Sequence, residues 1–421
     1  MSAGQEDPLP IAGTERLAAL GEPDFRWFLI SRFCSATAMT GVRAAIAWHL
    51  YALTGSAFQL GLLGAVQFAP ALGLALVGGA VADAYDRRRI AQITRLVSVS
   101  GATLLAAASA QGAASAPLLF AVVFLVALST AFENPARVAL LPLVVSRARF
   151  AAAVPIYSTV QAFAFMTGPG LAGVVIAAAG VASAYAGAAA LSLAAIAALA
   201  RIRPRAPDGE RRRVSLRAIR EGVAYVRSQP VLLGCMTLDM FAVIFAGATA
   251  MLPIYAEEIL RVGPRGFGIL SASLEAGALA MSVLLMLGRP IRSQGRALLV
   301  TAAVFGLATI GFGLSRSFWL SVAIYALVGM ADQVSVVMRS TIVQLTTPDA
   351  LRGRVSSINM IFIGASNHLG AMESGFVAAL TSATFAVVSG GVACLAVAAA
   401  VAVRVPELRR YRIGADPSER R

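Results

Sequence analysis

Eight charged side chains interrupt stretches that are otherwise apolar: Arg43, Glu133, Arg137, Asp239, Glu275, Asp332, Arg339 and Glu373. Four of the carboxylates, Asp239, Glu275, Asp332 and Glu373, have the chemistry to take up and release a proton, provided the site alternates between dry and wet. His368 lies five residues before Glu373 and belongs to the same candidate path. Glu133 and Arg137 are spaced i, i+4, which places opposite charges on one helical face and reads as an intramembrane ion pair. Asp332 and Arg339 are seven apart, again on one face, so Arg339 is expected to hold Asp332 ionised. Asp239 has no opposite charge one turn away and ranks first as a proton carrier.

Such residues need elements that can carry charge through an apolar medium. Of the 421 residues, 58% are hydrophobic and 13% charged, about half the charged share of a soluble domain. Mean hydropathy is +0.77, so an integral membrane protein is expected. An arginine or aspartate at the centre of a spanning helix costs about 2.5–3.5 kcal/mol on insertion scales, so these side chains should face protein or a watery cavity. Apolar segments of spanning length fall near 27–53, 59–82, 90–112, 117–141, 151–179 and 182–201, then near 230–256, 267–288, 297–314, 318–345, 355–380 and 383–403. The expected fold is all-α, with twelve transmembrane helices in two six-helix halves, 27–201 and 230–404. Segments 1–26 and 405–421 flank them, and a connection at 202–229 divides them.

The formal net charge of +14 raises nucleic-acid binding as an alternative. The arginines instead cluster in short connections between apolar segments. Arg87, Arg88, Arg89, Arg147, Arg149, Arg289, Arg292, Arg296, Arg352 and Arg354 would all lie inside if both termini are cytoplasmic. Only Arg261, Arg265 and Arg316 would lie outside, which follows the positive-inside rule. No nucleic-acid partner is expected; the bilayer is. In the 202–229 connection, Leu216, Ile219, Val223 and Val226 recur at helical spacing with Arg217, Arg220 and Arg227 off the stripe. This reads as an amphipathic helix on the cytoplasmic membrane surface.

Every basic residue apart from the 2 histidines is arginine, and without lysine no ordinary P-loop is present. Energy for transport would come from an ion gradient or another subunit. Cys34, Cys235 and Cys394 all fall in apolar segments, so neither a disulfide framework nor a metal site is expected. No cofactor is expected. The first 25 residues lack the pattern of a signal peptide, so the first apolar segment is expected to stay in the protein. Positions recur between the halves: Arg137 with Arg339, Gly168 with Gly370 and Gly173 with Gly375 at one spacing, Tyr51-Ala52 with Tyr255-Ala256, and Leu60-Gly61 with Phe267-Gly268. Their order suggests a duplicated six-helix unit.

Between the second and third segments stands GGAVADAYDRRR. Gly79, Asp83, Arg87 and Arg88 match the signature loop of the major facilitator superfamily, with Ala84 replacing its usual basic residue and Asp86 its usual glycine. The stretches AWHLYALTGSAFQLGLLGAV, ENPARVALLP, GPGLAG, LPIYAEEIL, TTPDALRGRV and VPELRR, in that order, resemble the enterobactin-exporter-like, drug-efflux branch of that superfamily. The resemblance implies a two-half transporter of a small molecule, monomeric, in a cell inner membrane. It implies that Gly79, Asp83, Asp86, Arg87 and Arg88 form a cytoplasmic gate, and that helices 1, 4, 7 and 10 line the cavity. That placement makes Arg43, Trp48, Phe132 and Phe241 cavity candidates. Gly168, Pro169 and Gly173 match the core of a helix-5 motif associated with antiporters, although its second closing glycine is Val174. Proton antiport and export of an amphipathic compound are the expected function. An importer or facilitator on the same fold, a transport-inactive sensor and a membrane-embedded enzyme stay open as alternatives.

Overall fold

The computed structural model describes residues 18–84, 87–138, 140–146, 149–202, 216–288 and 291–412. The first half comprises α1 (Pro23–Thr54), α2 (Ala57–Ala84), α3 (Arg87–Ala110), α4 (Ala116–Val138) and the helix Phe150–Ala200. That last helix is broken at Gly180, whose φ of 78° and ψ of 173° leave the helical region; this yields α5 (150–179) and α6 (181–200). Glycine accepts that backbone without a Cβ clash. The second half comprises α7 (Pro230–Phe245), α8 (Gly263–Leu287), α9 (Gln294–Leu314), α10 (Phe318–Thr346), α11 (Asp349–Leu380) and α12 (Ala383–Arg404). Among the described residues, 8 helices meet length and hydropathy criteria for crossing a membrane, with Ala152–Ala200 taken as one. Past Phe245, α7 gives way to short 3-10 and π turns through Ile259, where Gly247 and Pro253 interrupt regular helix.

α1 starts and α12 ends on one face of the bundle, here the termini face. The two halves meet toward the opposite face, α2 against α11 and α5 against α8. Glycines bring the backbones together. A Cβ on Gly173 of α5 would lie 2.6 Å from the Cα of Gly268 of α8, and one on Gly61 of α2 would lie 3.1 Å from the Cα of Gly375 of α11. The positions matched between halves in the sequence, Gly61 with Gly268 and Gly173 with Gly375, thus exchange partners across the interface as a twofold relationship requires. Aromatic pairs fill the flanks: Trp48 on Phe267 at 5.5 Å and Phe58 on Phe376 at 5.0 Å.

The helix Leu216–Ser228 does form, and its described side chains meet protein. Val226 is buried in the core of the second half. Gly222 faces Ile358 and Arg354 of α11. Tyr225 donates to the Thr346 carbonyl at 2.8 Å, and Glu221 pairs with Arg354 at 2.5 Å. The stripe read as a membrane-surface face therefore meets protein at Val226, where the ends of α10 and α11 offer apolar cover and polar partners; the side chains of Leu216 and Ile219 lie outside the described residues.

Candidate functional site

Three groups of charge lie inside the bundle. The first is Asp239 with Arg339, an ion pair from α7 to α10 with both side chains buried. Ser335, one turn before Arg339, donates to Asp239 at 3.4 Å. This corrects the expectation that Arg339 serves Asp332 and that Asp239 lacks a cation. The partner comes from another helix, which spacing within α7 or within α10 cannot reveal.

The second group gathers at the termini end of the first half. Arg95 of α3 bonds Glu133 at 2.5 Å, and Arg137 reaches the same oxygen at 3.4 Å. Arg32 of α1 lies between the rings of Tyr157 and Phe165, with its guanidinium carbon 5.8 and 5.7 Å from their centroids. Arg32, Arg95 and Arg137 line one small cleft with Ser31 and Ser35. Arg32 and Arg95 were not singled out in the sequence, although each interrupts an apolar segment as plainly as Arg43 does.

The third group lies at mid-depth. Glu275 of α8 and Asp332 of α10 stand on packed neighbouring helices, and no described basic side chain bridges either. They flank the crossing of α8 and α10, where a Cβ on Gly329 would strike the backbone of Leu274. Across the molecule, Arg43 of α1 is exposed and His368 of α11 is half-buried. Glu373, half-buried on α11, accepts from Ser374 at 3.3 Å.

The remaining candidates spread out. Trp48 is buried at the interface against Phe267 instead of standing open in a cavity. Phe241 stacks on Phe245 at 5.9 Å, and Phe132 is half-buried. Gly168 sits against α1, where a Cβ on Gly41 would be 3.2 Å from its carbonyl oxygen; Pro169 lies inside α5, and Gly173 meets α8. Gly79 and Asp83 lie in α2 and Arg87 begins α3, but their side chains fall outside the described residues, as does Asp86 altogether. Arg88 donates to the Ala200 carbonyl within the first half. At the opposite face Tyr51 of α1 donates to Glu258, a link between the halves that sequence spacing does not expose. Among the described residues no group of His, Cys, Asp and Glu could hold a metal ion.

Residues 14–418 match the model of a family described as transmembrane secretion effector. The enterobactin exporter EntS of Escherichia coli O1:K1 / APEC is 26% identical over 399 residues, covering 93% of this chain and 94% of the exporter. The enterobactin exporter EntS of Escherichia fergusonii is 25% identical with the same coverage. Among solved structures, the nucleoside transporter NupG (D323A mutant) superposes with a TM-score of 0.72 at 12% identity, covering 90% of this chain and 99% of the transporter. A bacterial homolog of the human lysosomal transporter Spinster, inward-facing and unoccupied, superposes with a TM-score of 0.66 at 15% identity, covering 94% and 97%. These structures share the fold.

Proposed function

This chain belongs to the transmembrane secretion effector family of the major facilitator superfamily, and from that premise we propose that it exports a small amphipathic compound in exchange for protons. It is a multi-pass membrane protein. On this reading it sits as a monomer in a cell inner membrane with both termini cytoplasmic. The observation that carries the reading is where the halves touch: Gly173 with Gly268, Gly61 with Gly375 and Tyr51 with Glu258 all fall toward the face opposite the termini. Two halves joined at one end can rock about a central site, which is what alternating access needs.

Proton exchange is assigned to Glu275 and Asp332, since Arg339 already neutralises Asp239. Two carboxylates close together cannot both ionise cheaply in a dry site, so one proton is held there until water enters. Asp83 in the signature loop is assigned to closing the cytoplasmic side, where a carboxylate can accept from arginine or from free backbone N–H groups. The export direction is supported by the named activity of the similar exporters. Proteoliposomes with an imposed pH gradient, offered a panel of siderophores and antibiotics, should accumulate at least one compound against its gradient, with ATP having no effect once the gradient is clamped. Proton-independent flux of every transported compound would exclude antiport. A reporter fused after Arg213 and active only outside the cytoplasm would exclude the orientation.

A further inference from the structure

We propose that the cargo carries an anionic group and that the Arg43 guanidinium is its binding partner. The inference rests on the transport reading above and adds the chemical class of what is carried.

Arg43 stands about 16 Å of helical rise before the end of α1 at Thr54. His368 stands about 18 Å before the end of α11 at Leu380. Both helices end on the face opposite the termini, so the two side chains share a level near mid-membrane. Arg43 is exposed, while Ile46 and Leu50, three and seven residues further along the same face of α1, are buried in the protein. An exposed guanidinium on a face of α1 that is otherwise buried belongs to the space between the halves, not to the lipid face. Gly64 of α2 packs against the His368 carbonyl, with its hypothetical Cβ 2.7 Å away, which places this level beside the contact between halves.

A guanidinium at this depth is costly unless it has an acceptor. Described ion pairs engage Arg95, Arg137, Arg149, Arg339, Arg352 and Arg354, but not Arg43. Glu275 on α8 and Asp332 on α10 form no described ion pair with it. Its titratable neighbour, His368, is neutral or of the same sign. Among the described residues the fold therefore leaves an exposed planar fork of five N–H donors with no internal acceptor. A carboxylate, a phenolate-type oxygen pair or a phosphate on the cargo would satisfy that fork in bidentate fashion. A cationic cargo would be repelled at the same place, which makes the residue a selector as well as a holder.

The test uses the full-length protein in nanodiscs and three shape-matched probes: 1-naphthylacetate, 1-naphthylacetamide and 1-naphthylmethylammonium. Equilibrium dialysis should show the acid binding about tenfold to a hundredfold more tightly than the amide, as expected for a charge-assisted hydrogen bond. Arg43→Gln should bring the acid down to the amide's affinity, Arg43→Lys should keep part of the preference, and Arg43→Glu should turn the preference toward the ammonium probe. If Arg43→Gln unfolds, Arg43→Met carries the same comparison. Equal binding of acid and amide to the wild type, a preference that survives Arg43→Gln, or no binding of any probe would overturn the proposal. Flux of the same probes in proteoliposomes separates the two readings. Acid that binds through Arg43 but is never moved would sink transport and leave the site standing. Normal flux of amide and ammonium probes, unaltered in Arg43→Gln, would sink the site and leave transport standing.

Discussion

Asp239 on α7 and Arg339 on α10 close an ion pair inside the second half, with 7% and 3% of their side-chain surfaces exposed. It joins two helices that the superfamily resemblance assigns to the cavity wall. The pair gives this proton-carrier candidate a cation on another helix. Breaking one partner leaves the other charge buried and alone, which costs about 3–5 kcal/mol.

Asp239→Asn and Arg339→Gln should each lower thermal stability in detergent by that order, while the double variant should recover a large part of the loss. Thermal unfolding of the three variants checks this. A fully stable Asp239→Asn would show that the pair contributes little.

Glu275→Gln and Asp332→Asn should behave differently. An amide keeps the shape of a protonated carboxyl but cannot release a proton. Each variant should bind cargo and exchange it with unlabelled cargo, yet fail to accumulate it when a pH gradient is imposed. If both single variants and the double variant still accumulate cargo against its gradient, neither residue carries the proton.

Gly173→Leu should disfavour closure at the face opposite the termini, because the new side chain would enter the backbone of α8 at Gly268 and Pro264. Overpacking of this kind costs about 1–3 kcal/mol, a shift of roughly 5-fold to 150-fold in the closed-to-open ratio. Gly375→Leu should act in the same direction through α2. Spin-label distances across that face report the shift; unchanged distances in both variants would mean that glycine contact does not govern closure.

Tyr51→Phe removes the hydroxyl that Glu258 accepts from and should loosen the same face by about tenfold, the scale of one hydrogen bond to a charged group. Glu258 is exposed, so it gains water in exchange and the protein should stay folded. Cysteine labelling from that side should speed up in Tyr51→Phe and Glu258→Gln alike. Labelling at the wild-type rate in both would leave the contact without a role in gating.

The sequence by itself determined the membrane class, the helical segments and the division into two halves, because apolar length and arginine placement are properties of the chain alone. It also marked the residues too costly to leave without a purpose, Arg43, Glu275 and Asp332 among them, and the glycines whose matched positions later meet across the halves. What it could not determine was pairing between helices. Glu133 finds Arg137 one turn away, a relationship spacing can express, but it also finds Arg95 on α3. Asp239 finds Arg339 from a helix far along the chain, and Val226 of the Leu216–Ser228 helix finds protein cover. Periodicity places a side chain on a face of its own helix; which face of which other helix meets it is set by packing. That is why the tertiary structure alone separated the neutralised Asp239 from Glu275 and Asp332, which no described ion pair engages, and the arginines tied in ion pairs from the exposed Arg43.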